Sequence, residues 1–397
     1  MEFIHSTTIY LITLLSFSMP FATSATIFDF ENCEFPAIFN FGDSNSDTGG
    51  LAAAFTPPNF PNGETYFDMP AGRYCDGRLI IDFISKSLDL PYLSAYLNSL
   101  GTNFTHGANF ATSSSTITLP TSIMPNGEYS PFYLGVQYEQ FLRFKARSQL
   151  IREEGGIFAR LMPREEYFEK ALYTFDIGQN DLGAGFFSMS VEEVNASVPD
   201  MINAFSTNVE NIYHLGARSF WIHNTGPIGC LGYILVGFPT AEKDVAGCAK
   251  PYNEVAQYFN HKLKESVFQL RRDFPAALFT YVDVYSLKYA LFSEPKTYDV
   301  FDVVSLQTAG FELPLVACCG YGNLYNYSSG AVCGATIAIN GTQQTVGSCD
   351  TPSVRVVWDG EHFTEAANKF IFDQISTGVF SDPPVPLKMA CHRTADL

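Results

Sequence analysis

Short runs of apolar and aromatic residues recur at wide spacing along the chain, and longer helical patterns separate them. The strand candidates are 37–41 (AIFNF), 172–177 (LYTFDI), 219–223 (SFWIH) and 277–284 (ALFTYVDV). The helical patterns cover 137–151, 198–215, 252–274 and 364–376. Strands that alternate with helices indicate βαβ units, whose crossover helices return the chain so that the strands pair in parallel. The pattern predicts an α/β fold with a central parallel sheet between two helical layers, and ligands in such sheets bind beyond the carboxyl ends of the strands.

The composition narrows the class of protein. The chain has 397 residues and a formal net charge of −18, from 41 acidic and 23 basic side chains. This charge disfavours nucleic acids and anionic membrane surfaces as partners, because both repel a negative protein. Apolar residues make up 46% of the sequence, so a large core is available and global disorder is excluded.

The N-terminal segment has the pattern of a secretory signal. An apolar run from Ile9 to about Phe21 is followed by small residues that end at Ala25. A membrane-spanning helix needs ~20 apolar residues, so we expect cleavage near Ala25 and no stable membrane insertion. The sequence thus predicts a cleaved signal over 1–25 and a single domain over 26–397.

Two segments break the alternation of strands and helices. Residues 51–75 are rich in Pro, Gly and Asn, and residues 317–353 form an insertion rich in Gly, Tyr and Cys. Loops of this length are commonly functional. A surface flap pinned by disulfides is the alternative.

All nine cysteines follow the predicted cleavage site, and an oxidising compartment favours disulfides between them. Their number is odd, so one is predicted to stay free or to pair between chains. We expect a clip between Cys230 and Cys248 and local bridges within 318–349; no C-x-x-C zinc spacing occurs. Four N-x-S/T sequons are candidate glycan sites, namely Asn103, Asn195, Asn326 and Asn340.

The first strand candidate runs directly into FGDSNSDTGG, residues 41–50. Ser44 stands between a strand end and a helix start, where its hydroxyl can face the crevice and backbone N–H groups can hold an anion. The block is not a G-x-S-x-G elbow, because Ser46 stands where the second glycine would be. A serine in such a turn more often has only a structural role, in which its side chain caps the turn by a hydrogen bond to the nearby backbone. A nucleophile also needs a base and an orienting acid.

A candidate base and acid occur together near the C-terminus, in WDGEHFT at 358–364. A D-x-x-H sequence on one turn can bring the Asp359 carboxylate within hydrogen-bond reach of the His362 ring. Asp359 would then fix the tautomer, and His362 would accept the serine proton. A surface turn with a solvated histidine is the alternative.

Polar residues also follow two other strand candidates. Asn180 lies in DIGQND, and its side-chain amide can stabilise a developing oxyanion, although capping of the next helix is the alternative role for such a residue. His223 ends another strand candidate, and no acid lies near it in the sequence. We therefore expect His223 to satisfy a local hydrogen bond rather than act as a base.

Together, the blocks FGDSNSDTGG, DIGQND and WDGEHFTEAA resemble the GDSL-type esterase/lipase family of SGNH hydrolases, above all the acetylesterase, early-nodulin and latex-allergen members of its secreted plant branch. The resemblance covers about residues 35–382, with weaker matches at HGANFAT and NTGPIGC. It implies a flavodoxin-like three-layer α/β/α sandwich. It also implies that Ser44 is the nucleophile and that His362 is the base, oriented by Asp359.

The resemblance further implies an oxyanion hole, formed by the backbone N–H of Ser44, a backbone N–H in the second block and the Asn180 side chain. The second block departs from the family, because the NFA sequence is followed by TSSS where many relatives have a glycine pair. We assign the second-block donor to Gly107, with the main chain of Ser114 as the alternative.

These inferences predict a secreted, glycosylated esterase that acts as a monomer on a small-molecule ester through an acyl-enzyme, without a cofactor or a metal. The resemblance favours acetyl or short-acyl esters of a sugar or specialised metabolite, and a location in the apoplast or cell wall, with the vacuole also compatible. Activity should fall below the ordinary histidine pKa of ~6.5.

Three other functions remain open on the sequence. An acyltransferase would use the same triad, and a non-catalytic extracellular binding or defence protein could have the same fold. A glycosidase would need two opposed carboxylates, and no such pair stands out in the sequence.

Overall fold

The computed structural model describes residues 32–98, 100–121, 123, 129–296, 300–302, 307–322, 324–339 and 341–393. Ten strands occur in this part of the chain. They are β1 (Ile38–Gly42), β2 (Gly107–Asn109), β3 (Leu172–Asp176), β4 (Ser219–His223), β5 (Leu278–Val282), β6 (Val300–Asp302), β7 (Gln307–Ala309), β8 (Thr336–Ile339), β9 (Thr342–Thr345) and β10 (Ser381–Asp382). Six of them form one sheet in the order β10-β5-β4-β3-β1-β2, while β6-β7 and β8-β9 are separate two-stranded ribbons.

The central sheet is parallel from β5 across to β2, and only the edge strand β10 runs antiparallel to its neighbour β5. The four predicted strands coincide with β1, β3, β4 and β5 to within two residues at either end. The sequence pattern missed β2 and β10, because three and two residues are too few to show any periodicity.

Eleven helices complete the described architecture. They are α1 (Gly50–Ala54), α2 (Ile80–Ser87), α3 (Leu134–Glu154), α4 (Gly156–Ala159), α5 (Glu165–Lys170), α6 (Gln179–Ser188), α7 (Val191–His214), α8 (Gly232–Gly237), α9 (Lys250–Asp273), α10 (Val284–Ser293) and α11 (Glu365–Ile375). Helix α7 packs against both α3 and α9, and in a second group α11 packs against both α2 and α10. The predicted α/β fold is confirmed, and the predicted helical segments coincide with α3, α7, α9 and α11.

Aromatic side chains hold the sheet against the α3 and α7 layer. Phe39 of β1 stacks on Phe168 with ring centroids 5.0 Å apart. Phe41 stacks on Phe110 at 5.3 Å and on Phe175 of the adjacent strand at 5.1 Å. Each buried aromatic side chain removes 150–250 Å² from water, so this cluster fixes the strand whose far end carries Ser44.

Four disulfides link eight of the nine cysteines. The expected Cys230–Cys248 clip is confirmed, and so are local bridges in the insertion, where Cys318 pairs with Cys349 and Cys319 with Cys333. The Cys33–Cys391 bridge joins residues 358 positions apart, a separation that no local pattern predicts. The free cysteine is Cys75, which is buried.

The sequons differ in accessibility. Asn103 is exposed, whereas Asn195 and Asn326 are half-buried, and the Asn326 amide donates to the Ala317 carbonyl at 3.0 Å. Asn340 and the predicted signal segment lie outside the described residues.

Asn32–Leu397 forms one compact unit. None of the helices in the described part of the chain is both long enough and apolar enough to span a bilayer.

Candidate active site

Ser44 lies two residues beyond the carboxyl end of β1 and is buried. The backbone that leads to it is held by Gln137 of α3, whose side chain accepts a hydrogen bond from the Gly42 N–H at 2.9 Å and donates to the Gly42 carbonyl at 2.8 Å. A side chain at position 42 would lie 2.3 Å from the Asp176 carbonyl oxygen. Only glycine therefore allows this close approach of β1 and β3 just before Ser44.

The turn that contains Ser44 is closed by two aspartates. Asp43 Oδ1 accepts hydrogen bonds from the backbone N–H and the side-chain amide of Asn45, each at 2.9 Å. The Asp47 carboxylate accepts from three N–H groups at the start of α1 and from the Ser113 N–H at 2.7 Å. Asp47 thereby joins the nucleophile block to the second sequence block.

The C-terminal motif brings the predicted acid and the predicted base into contact. His362 Nδ1 lies 2.7 Å from Asp359 Oδ2, and Asp359 Oδ1 accepts the backbone N–H groups of Glu361 and His362 at 3.0 and 2.9 Å. Gly360 bends the chain with a φ of 93°, a left-handed value that glycine adopts without strain. Thr364 then caps α11 by accepting the Ala367 N–H at 3.2 Å.

The electrostatics of this pair favour an ionised acid. Burial alone would raise the pKa of Asp359, but the charge and hydrogen bond of His362 and the two backbone donors outweigh it, and the pKa is lowered. A carboxylate that stays ionised can hold the Nδ1–H tautomer of His362 and leave Nε2 as the basic nitrogen.

Gln179 connects the two halves of the site. Its Oε1 accepts from the Asn45 side chain at 3.4 Å, and its Nε2 donates to the Glu361 carbonyl at 3.4 Å. Asn45 follows Ser44 and Glu361 precedes His362. One side chain at the start of α6 thus bridges segments that are more than 300 residues apart in sequence.

The predicted oxyanion donors are only partly brought to this end of the sheet. The Asn180 amide donates to the Ser115 carbonyl at 3.0 Å, which joins α6 to the second block. Ser114, the alternative main-chain donor, has a φ of 60° and lies between Ser115 and the residue that Asp47 binds.

The assignment of Gly107 to the oxyanion hole is wrong. Gly107 pairs with Ile38 at the beginning of β1, and its N–H donates to the Phe104 carbonyl at 3.0 Å. Six residues separate Ile38 from Ser44, and at about 3.3 Å per residue the two lie at opposite ends of the strand. The sequence motif alone could not reveal this, because the register of β2 against β1 decides it.

His223 forms the expected local hydrogen bonds. Its Nε2 accepts from the Trp221 indole N–H at 3.1 Å, and its Nδ1 lies 3.0 Å from Asp176 Oδ2. Because an indole N–H can only donate, the second ring nitrogen carries the proton that Asp176 accepts. His223 is thus a buried ring with both nitrogens occupied, and the acid beside it comes from the adjacent strand.

Asp43 is one of the acids with a raised pKa that the sequence analysis did not single out. Its Oδ2 is buried without a hydrogen-bond partner. Burial and the nearby charge of Asp176 raise the pKa of Asp43 to about 7, against the hydrogen bonds of Asn45 and the positive charge of Lys288. Lys288 is itself buried, with its ammonium 4.7 Å from the centre of the Phe363 ring. No sequence signal links this α10 lysine to the nucleophile turn.

A cavity of about 410 Å³ opens beside His362. One wall comes from the predicted loop 51–75 and includes Phe55, Asn59 and Tyr74, whose ring centre is 5.6 Å from that of His362. The opposite wall comes from the cysteine-rich insertion and includes Tyr327. Residues of both segments thus line the cavity beside His362.

The match to a known protein family covers most of the chain, because the model for GDSL-like lipase/acylhydrolase matches residues 38–375. The chain belongs to the GDSL lipase/acylhydrolase family. Like the relatives described as esterases, this GDSL protein is a carboxylic ester hydrolase.

In the described residues, no group of three or more His, Cys, Asp or Glu side chains is arranged to hold a metal ion.

Plant relatives are similar over almost their whole length. The GDSL protein is 67% identical to an esterase of Hevea brasiliensis, over 92% of each chain. It is 59% identical to the GDSL esterase/lipase ENOD8 of Medicago truncatula, also over 92% of each. It is 52% identical to an Arabidopsis thaliana protein named alpha-L-fucosidase 3, over 91% of this chain and 93% of the relative.

Among solved structures, a mutant of Axe2, an acetyl-xylooligosaccharide esterase of a Geobacillus species, matches with a TM-score of 0.31 and 13% identity. The match covers 70% of this chain and 90% of that one. This likeness is too low to support any conclusion about the site.

Proposed function

We propose that this GDSL protein is a secreted serine esterase in which Ser44, His362 and Asp359 form the catalytic triad. The observation that carries the proposal is the 2.7 Å contact between His362 Nδ1 and Asp359, on a segment that Gln179 ties to the nucleophile turn. An ionised acid, an oriented imidazole and a buried serine beyond a strand end are the groups that acyl transfer requires.

The reaction proceeds in two steps. Ser44 Oγ bonds to the ester carbonyl carbon while its proton passes to His362 Nε2; the carbon–oxygen bond to the alcohol then breaks, and His362 returns the proton to the leaving oxygen. Water next attacks the acyl-enzyme, gives a proton to His362, and releases the acid as Ser44 regains its proton. Asp359 stabilises the imidazolium in both steps.

The oxyanion that forms in each step needs hydrogen-bond donors. We assign this role to the Ser44 N–H, the Asn180 amide and the Ser114 N–H, the last in place of Gly107. The Asn180 contact with Ser115 and the Asp47 contact with Ser113 support the assignment, because the first joins the second block to α6 and the second joins it to the turn that contains Ser44.

A serine-directed organophosphonate tests the nucleophile. We expect one adduct, mapped to Ser44, and loss of both the adduct and p-nitrophenyl acetate hydrolysis in Ser44→Ala. Ser266→Ala is a matched control, because this α9 hydroxyl bonds to the Ser206 hydroxyl of α7 and lies outside the site. An adduct at another serine would refute the assignment of Ser44. Equal rates for wild type and Ser44→Ala would overturn the proposal and favour a non-catalytic binding protein.

We further propose that the substrate is an acetyl or short-acyl ester of a sugar or specialised metabolite. Incubation with an extract of acylated metabolites should show mass loss of the acyl group from a small set of compounds. If candidate acceptor alcohols are added and acyl transfer exceeds hydrolysis, the protein is an acyltransferase on the same triad.

Secretion is supported by the four disulfides, which persist in oxidising compartments. The full chain expressed in plant cells should appear in the apoplast or cell wall, as a monomer by light scattering, with glycans at accessible sequons. Retention of the full chain in the cytosol would contradict this location, and delivery to the vacuole would identify the other secretory destination.

A glycosidase is the second candidate, because one relative carries a fucosidase name and because Asp359 and Glu361 line the same cavity. Glycoside hydrolysis needs a carboxyl group that donates a proton. Asp359 has a lowered pKa and accepts hydrogen bonds on both oxygens, which favours ester hydrolysis. Parallel assays with an aryl α-L-fucoside and an aryl acetate distinguish the two activities.

A further inference from the structure

The cavity beside His362 carries a second carboxylate that the proposed mechanism does not use. Glu361 is buried and lines this cavity together with Asp359. The backbone of Glu361 is held on both sides, since its N–H donates to Asp359 Oδ1 and its carbonyl accepts from Gln179. The side chain therefore has a fixed origin next to His362, in the wall of the same cavity.

The Glu361 carboxylate is paired with a hydroxyl from the insertion. Tyr327 donates its O–H to Glu361 Oε1 at 3.0 Å. The Tyr327 ring packs so closely on Gly360 that a side chain there would lie 2.3 Å from Tyr327 Cδ2. Burial, followed by the charge of Glu361, raises the pKa of Tyr327, so its hydroxyl stays a neutral donor.

The rest of the cavity combines aromatic rings with uncharged polar groups. Its described lining includes no Lys or Arg, and the chain has a net charge of −18, so an anionic alcohol group is disfavoured. Phe55, Tyr74 and Tyr129 offer apolar ring faces, while Thr56 and Asn59 add polar groups at the wall. Pockets of this kind use a few polar groups among apolar ones to fix the orientation of a ligand.

We propose that Glu361, held by Tyr327, determines specificity by accepting a hydrogen bond from a hydroxyl of the alcohol half of the substrate. The ester is then one of a polyol, such as a glycosyl unit, whose apolar C–H face packs on the aromatic wall. This inference rests on the proposed esterase function, and it assigns a substrate-recognition role to a residue between the catalytic acid and base.

The test compares two acetates that differ in hydroxyl groups, a monoacetylated methyl glycoside and cyclohexyl acetate. The measured quantity is the ratio of their kcat/KM values. Glu361→Gln keeps an acceptor for Tyr327 but loses the charge, so the ratio should fall about 3- to 10-fold, and Glu361→Ala should lower it about 10- to 100-fold, mainly through KM for the glycoside.

Tyr327→Phe separates recognition from a structural role. It keeps the ring on Gly360 and leaves the Glu361 carboxylate in place, so the ratio should change by less than about 3-fold. If Glu361 serves only to anchor the insertion, Tyr327→Phe and Glu361→Ala will change both acetates alike and leave the ratio unaltered, and the inference is overturned.

Two further outcomes complete the test. Preference for the acetate of a quaternary ammonium alcohol, lost in Glu361→Gln, would show that the carboxylate recognises a cation and would overturn the polyol assignment. Hydrolysis of p-nitrophenyl acetate reports on the triad itself. If Ser44→Ala abolishes it but the acetate ratio is unaffected by Glu361 variants, this inference fails while the esterase function stands.

Discussion

Replacement of Asp359 by Asn tests the proposed mechanism at the residue whose contacts are most completely defined. Asp359 Oδ2 accepts from His362 Nδ1, and Oδ1 accepts two backbone N–H groups. An amide must place its NH₂ against one of these sets of donors. The ring can relieve the clash by moving its proton from Nδ1 to Nε2, whereas the backbone N–H groups cannot change. Asp359→Asn is therefore expected to hold His362 in the tautomer that cannot accept the Ser44 proton.

The magnitude follows from what the variant removes. Loss of the correct tautomer and of the carboxylate charge beside the imidazolium lowers kcat about 10⁴-fold in a serine triad, equivalent to about 5 kcal/mol of transition-state stabilisation. KM should change little, because Asp359 is bonded to His362 and to the backbone and has no role in holding the substrate in this mechanism.

The assay is steady-state hydrolysis of p-nitrophenyl acetate at pH 8, with thermal unfolding to verify that the variant is folded. Asp283→Asn is the control, because Asp283 caps α10 by accepting the Ser286 N–H at 3.0 Å, and Asn caps helices equally well. It should leave kcat within about twofold of wild type. A folded Asp359→Asn variant that keeps more than about a tenth of wild-type kcat would refute the tautomer argument.

Three other predictions concern stability, the oxyanion hole and the free thiol. Burial raises the pKa of Asp43 to about 7, so the folded state keeps this proton to higher pH than the unfolded state, and ionisation of Asp43 costs stability as the pH rises from about 4 to 7. The difference in Tm between Asp43→Asn and wild type should therefore become more positive over this window. A difference that stays constant with pH would contradict the raised pKa of Asp43. Asn180→Ala should lower kcat for p-nitrophenyl acetate about 10²- to 10³-fold with little change in KM, whereas a change in KM alone would count against an oxyanion role. Cys75 is buried, and burial raises the pKa of its thiol, so a thiol reagent should modify no cysteine in the native protein. After denaturation without reductant, the reagent should modify one cysteine. Modification of two or more cysteines would contradict the four disulfides.

Features that depend on neighbouring residues could be predicted from the sequence. The Asp359–His362 contact spans three residues in one turn, so its geometry follows from local backbone conformation. The strands β1, β3, β4 and β5 were predicted because each is an apolar run long enough to cross a buried sheet. The Cys230–Cys248 bridge joins cysteines only 18 residues apart.

Features that depend on strand register and layer packing could not be predicted. Gly107 was assigned a catalytic role from its place in a motif, but its pairing with Ile38 puts it at the wrong end of β1. Gln137 and Lys288 come from helices with no motif of their own, yet one holds the backbone before Ser44 and the other faces Asp43. The pairing of Cys33 with Cys391 likewise depends on where the two ends of the chain lie in the folded unit.

The reaction class could be inferred from the sequence, because candidates for a nucleophile, a base and an acid are recognisable as residue types in local turns. The folded structure was needed to show which carboxylates have perturbed pKa values, which segments line the cavity and that Gly107 lies at the far end of β1. These properties arise from the electrostatic environment and from contacts between residues remote in sequence, such as Asn45, Gln179 and Glu361, and such contacts exist only after the sheet has assembled.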